Sequence, residues 1–244
     1  MALRPEYLME AFELGTFMLA ACTFATLLGH PSSPVVRLLP DPFARRVTMG
    51  LAMGLTAVGL IYSPWGQQSG AHFNPSVTLT YLRLHKIERS DAVAYVVAQF
   101  VGGVVGVGLA AILLGRLVAH PAVEYAATQP GAAGIAVAFL AEALISFVLM
   151  SMILFASNQP RLARHTGWIA GALVVTYITI ESPLSGMSMN PARSFASALV
   201  GRHWTALWIY FSAPPIGMFA AAELRVRLRG AGSVLCAKLN HHGR

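Results

Sequence analysis

The chain has 244 residues, 17 basic and 10 acidic, so 11% are charged while the AVILMFWYC set makes up 56%. A soluble domain carries about 25% charged residues, and too few polar side chains are present here to cover a folded surface. Soluble, disordered, collagen-like and disulfide-stapled classes are excluded, which leaves an integral membrane chain.

Crossing the hydrocarbon core takes ~20 apolar residues. In chain order six segments qualify, residues 7–28, 47–62, 92–114, 134–156, 167–180 and 204–222, the second and fifth near the lower limit. The first is too long for a signal h-region, contains Glu10 and Glu13 and lacks a cleavage site, so it reads as a retained span. Residues 31–46, 117–133 and 157–166 are polar or Pro-rich and read as loops. Two further apolar segments, 75–84 and 191–200, are only ten residues long. As helices they rise only ~15 Å, half a bilayer, and must be re-entrant or interfacial pieces.

Those two segments expose a repeat. SGAHFNPS (Ser69–Ser76) recurs as SGMSMNPA (Ser185–Ala192), and MEAF (Met9–Phe12) parallels AEAL (Ala141–Leu144), so Glu10 matches Glu142. Each half reads span, span, half-helix, span. Three spans per half is odd, so the second half is inverted in the membrane, and paired broken helices point to a midplane site. The expectation is an all-α membrane protein with six transmembrane helices plus two re-entrant half-helices in an inverted 3+3 repeat. It forms one domain over 1–244, with repeats at about 7–118 and 134–224 and a basic tail at 225–244. Eleven of the seventeen basic residues fall on the side of the termini, which predicts that both are cytoplasmic.

Asn is a favoured N-cap and Pro a favoured first helical residue. Asn74-Pro75-Ser76 and Asn190-Pro191-Ala192 therefore each start a helix at the end of a loop that dives inward. Such a loop cannot face lipid and must line a protein interior or a watery path. In an inverted repeat the two helix starts meet at mid-membrane, each carrying about half a positive charge. Neutral hydrogen-bonding molecules pass such a centre while cations and protons meet a barrier. Gly70, Ala71, His72, Gly186 and Ser188 then fall on the pore-lining loops. Arg193 in the first turn of the second half-helix sits badly with the helix dipole and the bilayer, which marks a pathway.

GAHFNPSVT and GMSMNPARS resemble the paired signatures of the aquaporin and glycerol-facilitator family, the major intrinsic proteins. The resemblance covers the chain from Glu10 to about Glu223, and Ser76 departs from the family's usual alanine. It implies one pore per subunit and a homotetramer. It also places Arg193 at an outer constriction with Met187, with Ile178 (or Tyr177 if the frame slips), and with Met53 or Gly54. Water-selective members have an aromatic, a histidine and a small residue beside the arginine, whereas Ile178 offers no hydrogen bond and Met53 or Gly54 no ring, an apolar lining that suits a solute with one apolar face, such as glycerol. Ser194 stands where glycerol facilitators carry aspartate, and Tyr210-Phe211 resembles the aromatic pair of water channels. The expected activity is passage of water and small neutral solutes of the glycerol class, in a bacterial inner membrane.

Glu10 and Glu142 invite a proton-relay reading. The alternative, which the resemblance supports, is that they accept hydrogen bonds from the re-entrant loops. Gly15, Gly102, Gly103, Gly106, Gly167 and Gly171 read as helix-packing contacts. Glu181 follows the fifth span, where proximity to Arg193 would partly offset that charge or bind it at the mouth. Cys22 and Cys236 have no ligand or redox spacing, and His241-His242 lie in a frayed tail that suggests no metal. The basic residues form no stripe with interleaved aromatics, so no nucleic acid is implied. No nucleophile–base pair, phosphate loop or catalytic carboxylate pair is present, so neither an enzyme nor a cofactor is expected. The rival readings are a coupled secondary carrier and a poorly conducting structural member of the same fold.

Overall fold

A computed structural model describes residues 4–239, and among them every regular element is helical. In chain order these are α1 (Pro5–Gly29), α2 (Pro34–Leu38), α3 (Pro42–Tyr62), α4 (Pro64–Ser69), α5 (Pro75–Arg83), α6 (Arg89–Leu114), α7 (Ile135–Ser157), α8 (Thr166–Ile180), α9 (Ser182–Ser185), α10 (Pro191–Gly201) and α11 (Trp208–Arg229), with short 3-10 turns between some of them. Four helices, α1, α3, α6 and α7, are long and apolar enough to cross a membrane by length and composition alone. The short α8 and the proline- and charge-bearing α11 complete a six-helix bundle. The half-helices α5 and α10 fill its interior.

Two sequence expectations need correcting here. Residues 31–46 are not a simple loop: α2 lies within them, and α3 already begins at Pro42. Asp41 caps that start, accepting from Phe43 N at 3.4 Å and Ala44 N at 2.8 Å, so Asp41-Pro42 is the same helix-start signal as Asn-Pro. The last helix begins four residues later than expected and runs through Arg229, because Arg227 and Arg229 in its final turn suit the negative end of the helix dipole. The tail is therefore not frayed throughout. Residues 225–229 are helical and 230–239 fold back over the bundle, while His241, His242 and Arg244 lie outside the described residues.

Small residues set how closely the helices approach. α1 packs along α6, and α7 along α11. A Cβ on Gly102 would lie 2.0 Å from Ala11 O, one on Gly106 2.2 Å from Gly15 O, and one on Gly217 2.1 Å from Ala143 O. Backbones thus touch backbones at corresponding seams of the two halves. α6 shows both faces of this design. Tyr95, Gln99, Gly102 and Gly106 point inward, while Val93, Val97, Val101 and Val105 repeat every fourth residue on the opposite, exposed face. A valine stripe of that kind is at home against lipid.

Valine at Gly102 or Gly217 is therefore expected to lower stability by more than the ~1–3 kcal/mol of ordinary overpacking. Loss of the monodisperse peak in detergent would register it. Gly59→Ala on α3, where a Cβ meets nothing within 4 Å, should leave that peak intact.

Candidate functional site

Each half-helix begins on its asparagine. Asn74 Oδ1 accepts from Ser76 N at 2.8 Å, and Asn190 Oδ1 accepts from Ala192 N and Arg193 N at 3.0 and 3.2 Å. The amide nitrogens reach across to the other half. Asn74 Nδ2 donates to Met189 O at 2.8 Å, and Asn190 Nδ2 donates to Phe73 O at 2.7 Å. This reciprocal pair holds the two helix N-termini facing each other. Each amide group keeps a second N–H.

The loops leading to these caps share one backbone plan. Gly70 and Gly186 adopt φ of 104° and 81°, followed by positive φ at Ala71 and Phe73 in one loop and at Met187 and Met189 in the other. Such turns for non-glycine residues cost on the order of 1 kcal/mol each and persist only where surroundings hold them. Two buried carboxylates do the holding. Glu10 accepts from His72 N (2.9 Å), Phe73 N (2.7 Å) and Gln99 Nε2 (2.7 Å). Glu142 accepts from Ser185 Oγ, Ser188 N and Met189 N, each at 2.7 Å. Tyr95 and Tyr210 then donate to Ser69 O and Ser185 O at 2.8 and 2.6 Å, matching each other across the halves.

Between the loops runs a cavity of about 260 Å³. Among the sequence-chosen residues, Asn74, Asn190, Arg193, Met187, Ile178, Met53, His72, Gly186 and Ser188 line it. Met53 lines it and Gly54 does not, because Gly54 is pressed against α8, where a Cβ would lie 2.7 Å from Gly171 O. Ile178 lines it, and its neighbour Tyr177 does not. Gly70 and Ala71 are also absent from the lining: Gly70 faces the tail and Ala71 is fully buried. Pro75, Ser76, Pro191 and Ala192 form the first helical turns; Ser76 and Ala192 are fully buried in packing.

Arg193 is half-buried, and its Nη1 is shielded from solvent without a hydrogen-bond partner. No ion pair joins Arg193 to Glu181 among the described residues. Glu181 lies in the turn between α8 and α9, and neither of its carboxylate oxygens has a hydrogen-bond partner. Ser185 Oγ, its neighbouring hydroxyl, is committed to Glu142. Burial pushes the Glu181 carboxyl up to about 7.

Several site residues escape sequence reasoning. Gln99 and Tyr95 stand one helical turn apart inside an apolar span, where the sequence does not show which way two polar side chains turn. Arg46 and Met49 line the cavity from the first turns of α3, which sequence assigned to a loop or its edge. Thr128 joins the buried Ser194, which the sequence did single out, at 2.7 Å, and Ser194 also joins Ser188, tying an outer loop to the second re-entrant loop. Leu239 closes one end of the cavity from the tail.

The model for the family described as Major intrinsic protein matches residues 6–224. The chain belongs to that family. It is 34% identical over 230 residues to "Glycerol uptake facilitator protein-like 6" of Lactiplantibacillus plantarum, a match that covers 89% of this chain and 94% of that one. A "Probable aquaporin NIP-type" of Nicotiana alata is 34% identical over 170 residues, and "Nodulin-26" of Glycine max 32% over 176. The matches span 61% and 62% of those plant proteins. The aquaglyceroporin from Plasmodium falciparum superposes with a TM-score of 0.73 at 17% identity, covering 90% of this chain and 94% of that one, a likeness of fold. This family member is a membrane channel for water and small neutral solutes, not an enzyme.

Two outcomes follow from the braces and the mouth. Glu142→Gln puts an amide NH₂ where an oxygen accepts, leaving a loop donor unmatched, which should cost about 1–3 kcal/mol and lower the melting temperature in detergent. Glu181 favours its neutral form in the folded chain, so its stabilising effect is complete below the ordinary pKa of 4.5 and is lost as pH rises through about 7. Melting temperature should fall between about pH 5 and pH 8, and Glu181→Gln should flatten that slope.

Proposed function

We propose that this chain is a passive pore for water and small solutes of the glycerol class, with the cavity between the half-helices as the path. One observation carries the reading: the reciprocal bonds from Asn74 to Met189 O and from Asn190 to Phe73 O. They turn two helix N-termini toward one point, where each contributes about half a positive charge and each asparagine keeps one N–H for the permeant. A molecule passing there donates to loop carbonyls and accepts from the asparagines. A cation meets positive potential with no carboxylate in the lining.

In this reading Arg193, Met187, Ile178 and Met53 form the outer constriction, and Arg46 and Met49 widen into the mouth. The free Arg193 Nη1 supplies donors on one wall, while two methionines and an isoleucine offer an apolar wall to a carbon backbone. That asymmetry suits glycerol better than a wall of donors would. Glu10 and Glu142 act as loop braces. Every one of their oxygens already accepts at least one hydrogen bond, so neither has the idle site that a coupling acid in a carrier needs. The subunit assembles as a homotetramer, with one pore each. It sits in a bacterial inner membrane with both termini cytoplasmic, an orientation supported by the excess of Arg and Lys on that face.

Stopped-flow swelling of proteoliposomes tests this. Water and glycerol permeability should exceed that of empty vesicles, without saturation and without response to a protonophore. Transport that saturates or collapses with the proton gradient would favour a carrier instead. Met187→Ala and Arg193→Val should each raise glycerol permeability, by about tenfold if ~1.4 kcal/mol leaves the barrier. Unchanged transport in both would remove the constriction from these residues.

A further inference from the structure

We propose that residues 230–239 are a built-in cap that closes the pore at the face bearing the chain termini, and that conduction requires this segment to swing away. The inference rests on the channel path proposed above and adds a moving part to it. The segment leaves α11 through Gly230, at φ 81°, and one 3-10 turn. Arg225 clamps that turn, donating from Nε to Ser233 Oγ at 3.1 Å and from Nη2 to Ser233 O at 3.0 Å. The segment then crosses the end of α7, where Leu235 N donates to Asn158 Oδ1 at 2.7 Å.

Its far end locks onto the first re-entrant loop. His72 Nε2 donates to Ala237 O at 2.7 Å, Lys238 Nζ donates to Gln67 O at 3.1 Å, and Leu239 N donates to Gly70 O at 3.0 Å. A Cβ on Gly70 would lie 2.6 Å from Ala237 O, so only glycine admits this approach. At the corresponding Gly186 of the other half, a Cβ would meet Gln129 N at 2.9 Å instead. There an internal loop fills the space that the chain's last described residues fill here.

Two cavities show what the cap separates. Leu239, 4% exposed, packs into the end of the pore cavity with His72, Leu149 and Ile153. On the other side lies a polar cavity of about 350 Å³, lined by Arg4, Lys86, Asp91, Cys236 and Lys238 among others. His72 borders both, and residues 236–239 form the rest of the partition. Withdrawing them joins the polar space to the pore and frees the His72 N–H for the permeant. Beyond the Arg225 clamp, the attachments are four hydrogen bonds and the buried side chains of Val234 and Leu239, so the cap is a latch that can release without unfolding a helix.

The test compares proteoliposome permeability per channel for the full chain and for one ending at Arg229, with vesicle swelling in water and glycerol gradients. The truncated chain should conduct about tenfold faster, equivalent to ~1.4 kcal/mol removed from the crossing barrier. Leu239→Gly, which keeps the backbone bonds but empties the plug, should move in the same direction. Should truncation abolish folding, Asn158→Cys with Leu235→Cys in a Cys22→Ser, Cys236→Ser background gives a reversible version. Oxidation should then suppress permeability and reductant restore it. A folded truncated chain that conducts no faster than a conducting full chain, or permeability indifferent to the redox state of the pair, overturns the cap alone. No conduction by either chain overturns the passive-pore reading along with it.

Discussion

Backbone amides that enter a membrane core without a helix must find an acceptor, because water is not there to serve. Everything central to this protein follows from how that demand is met. Glu10 and Glu142 hang from α1 and α7 and take up the N–H groups of two loops that would otherwise be unsatisfied. Once held, those loops are free to adopt a chain of left-handed residues that an unbraced segment would abandon. Held this way, they deliver the asparagine caps to one place. Each carboxylate accepts from three donors, and α1 and α7 are themselves fixed by backbone-to-backbone seams at Gly102, Gly106 and Gly217. Brace, loop, cap and seam are one mechanical unit, made twice.

The two copies are alike in their braces and unlike in their surroundings. Tyr95 and Tyr210 hold matching serine carbonyls, yet Ser188 stands where the first loop has His72. On one side the loop is backed by an internal segment around Thr128 and Gln129; on the other it is backed by the irregular segment at residues 237–238. Divergence sits at the two mouths, where the requirement is discrimination or control. The midplane, where only dipoles and amides matter, stays symmetric.

The six spans, the half-helices and the Asn-Pro starts were legible in the sequence, because a bilayer demands long apolar runs and a helix start has its own chemistry. The same chemistry was present at Asp41-Pro42 and went unread, since the surrounding residues are polar and proline-rich enough to pass for a loop. Gln99 and Tyr95 were hidden for the opposite reason: two polar residues in a strongly apolar span do not announce which way they turn. The choice between Met53 and Gly54 was open because adjacent helical residues differ by about 100° in direction, and only the packing of Gly54 on Gly171 settles the rotation of α3.

Composition and pattern alone determined that the chain lives in a bilayer and that it carries two matching Asn-Pro helix starts, because these are local or periodic requirements that a linear string displays. The tertiary structure alone decided that the asparagines bond to each other's loops, that no ion pair joins Arg193 to Glu181 among the described residues, and that Leu239 lines the cavity between the half-helices. Each of these joins residues more than a hundred positions apart, or separates residues that are close in the chain. Distance through space is set by helix packing, and a linear sequence does not state it.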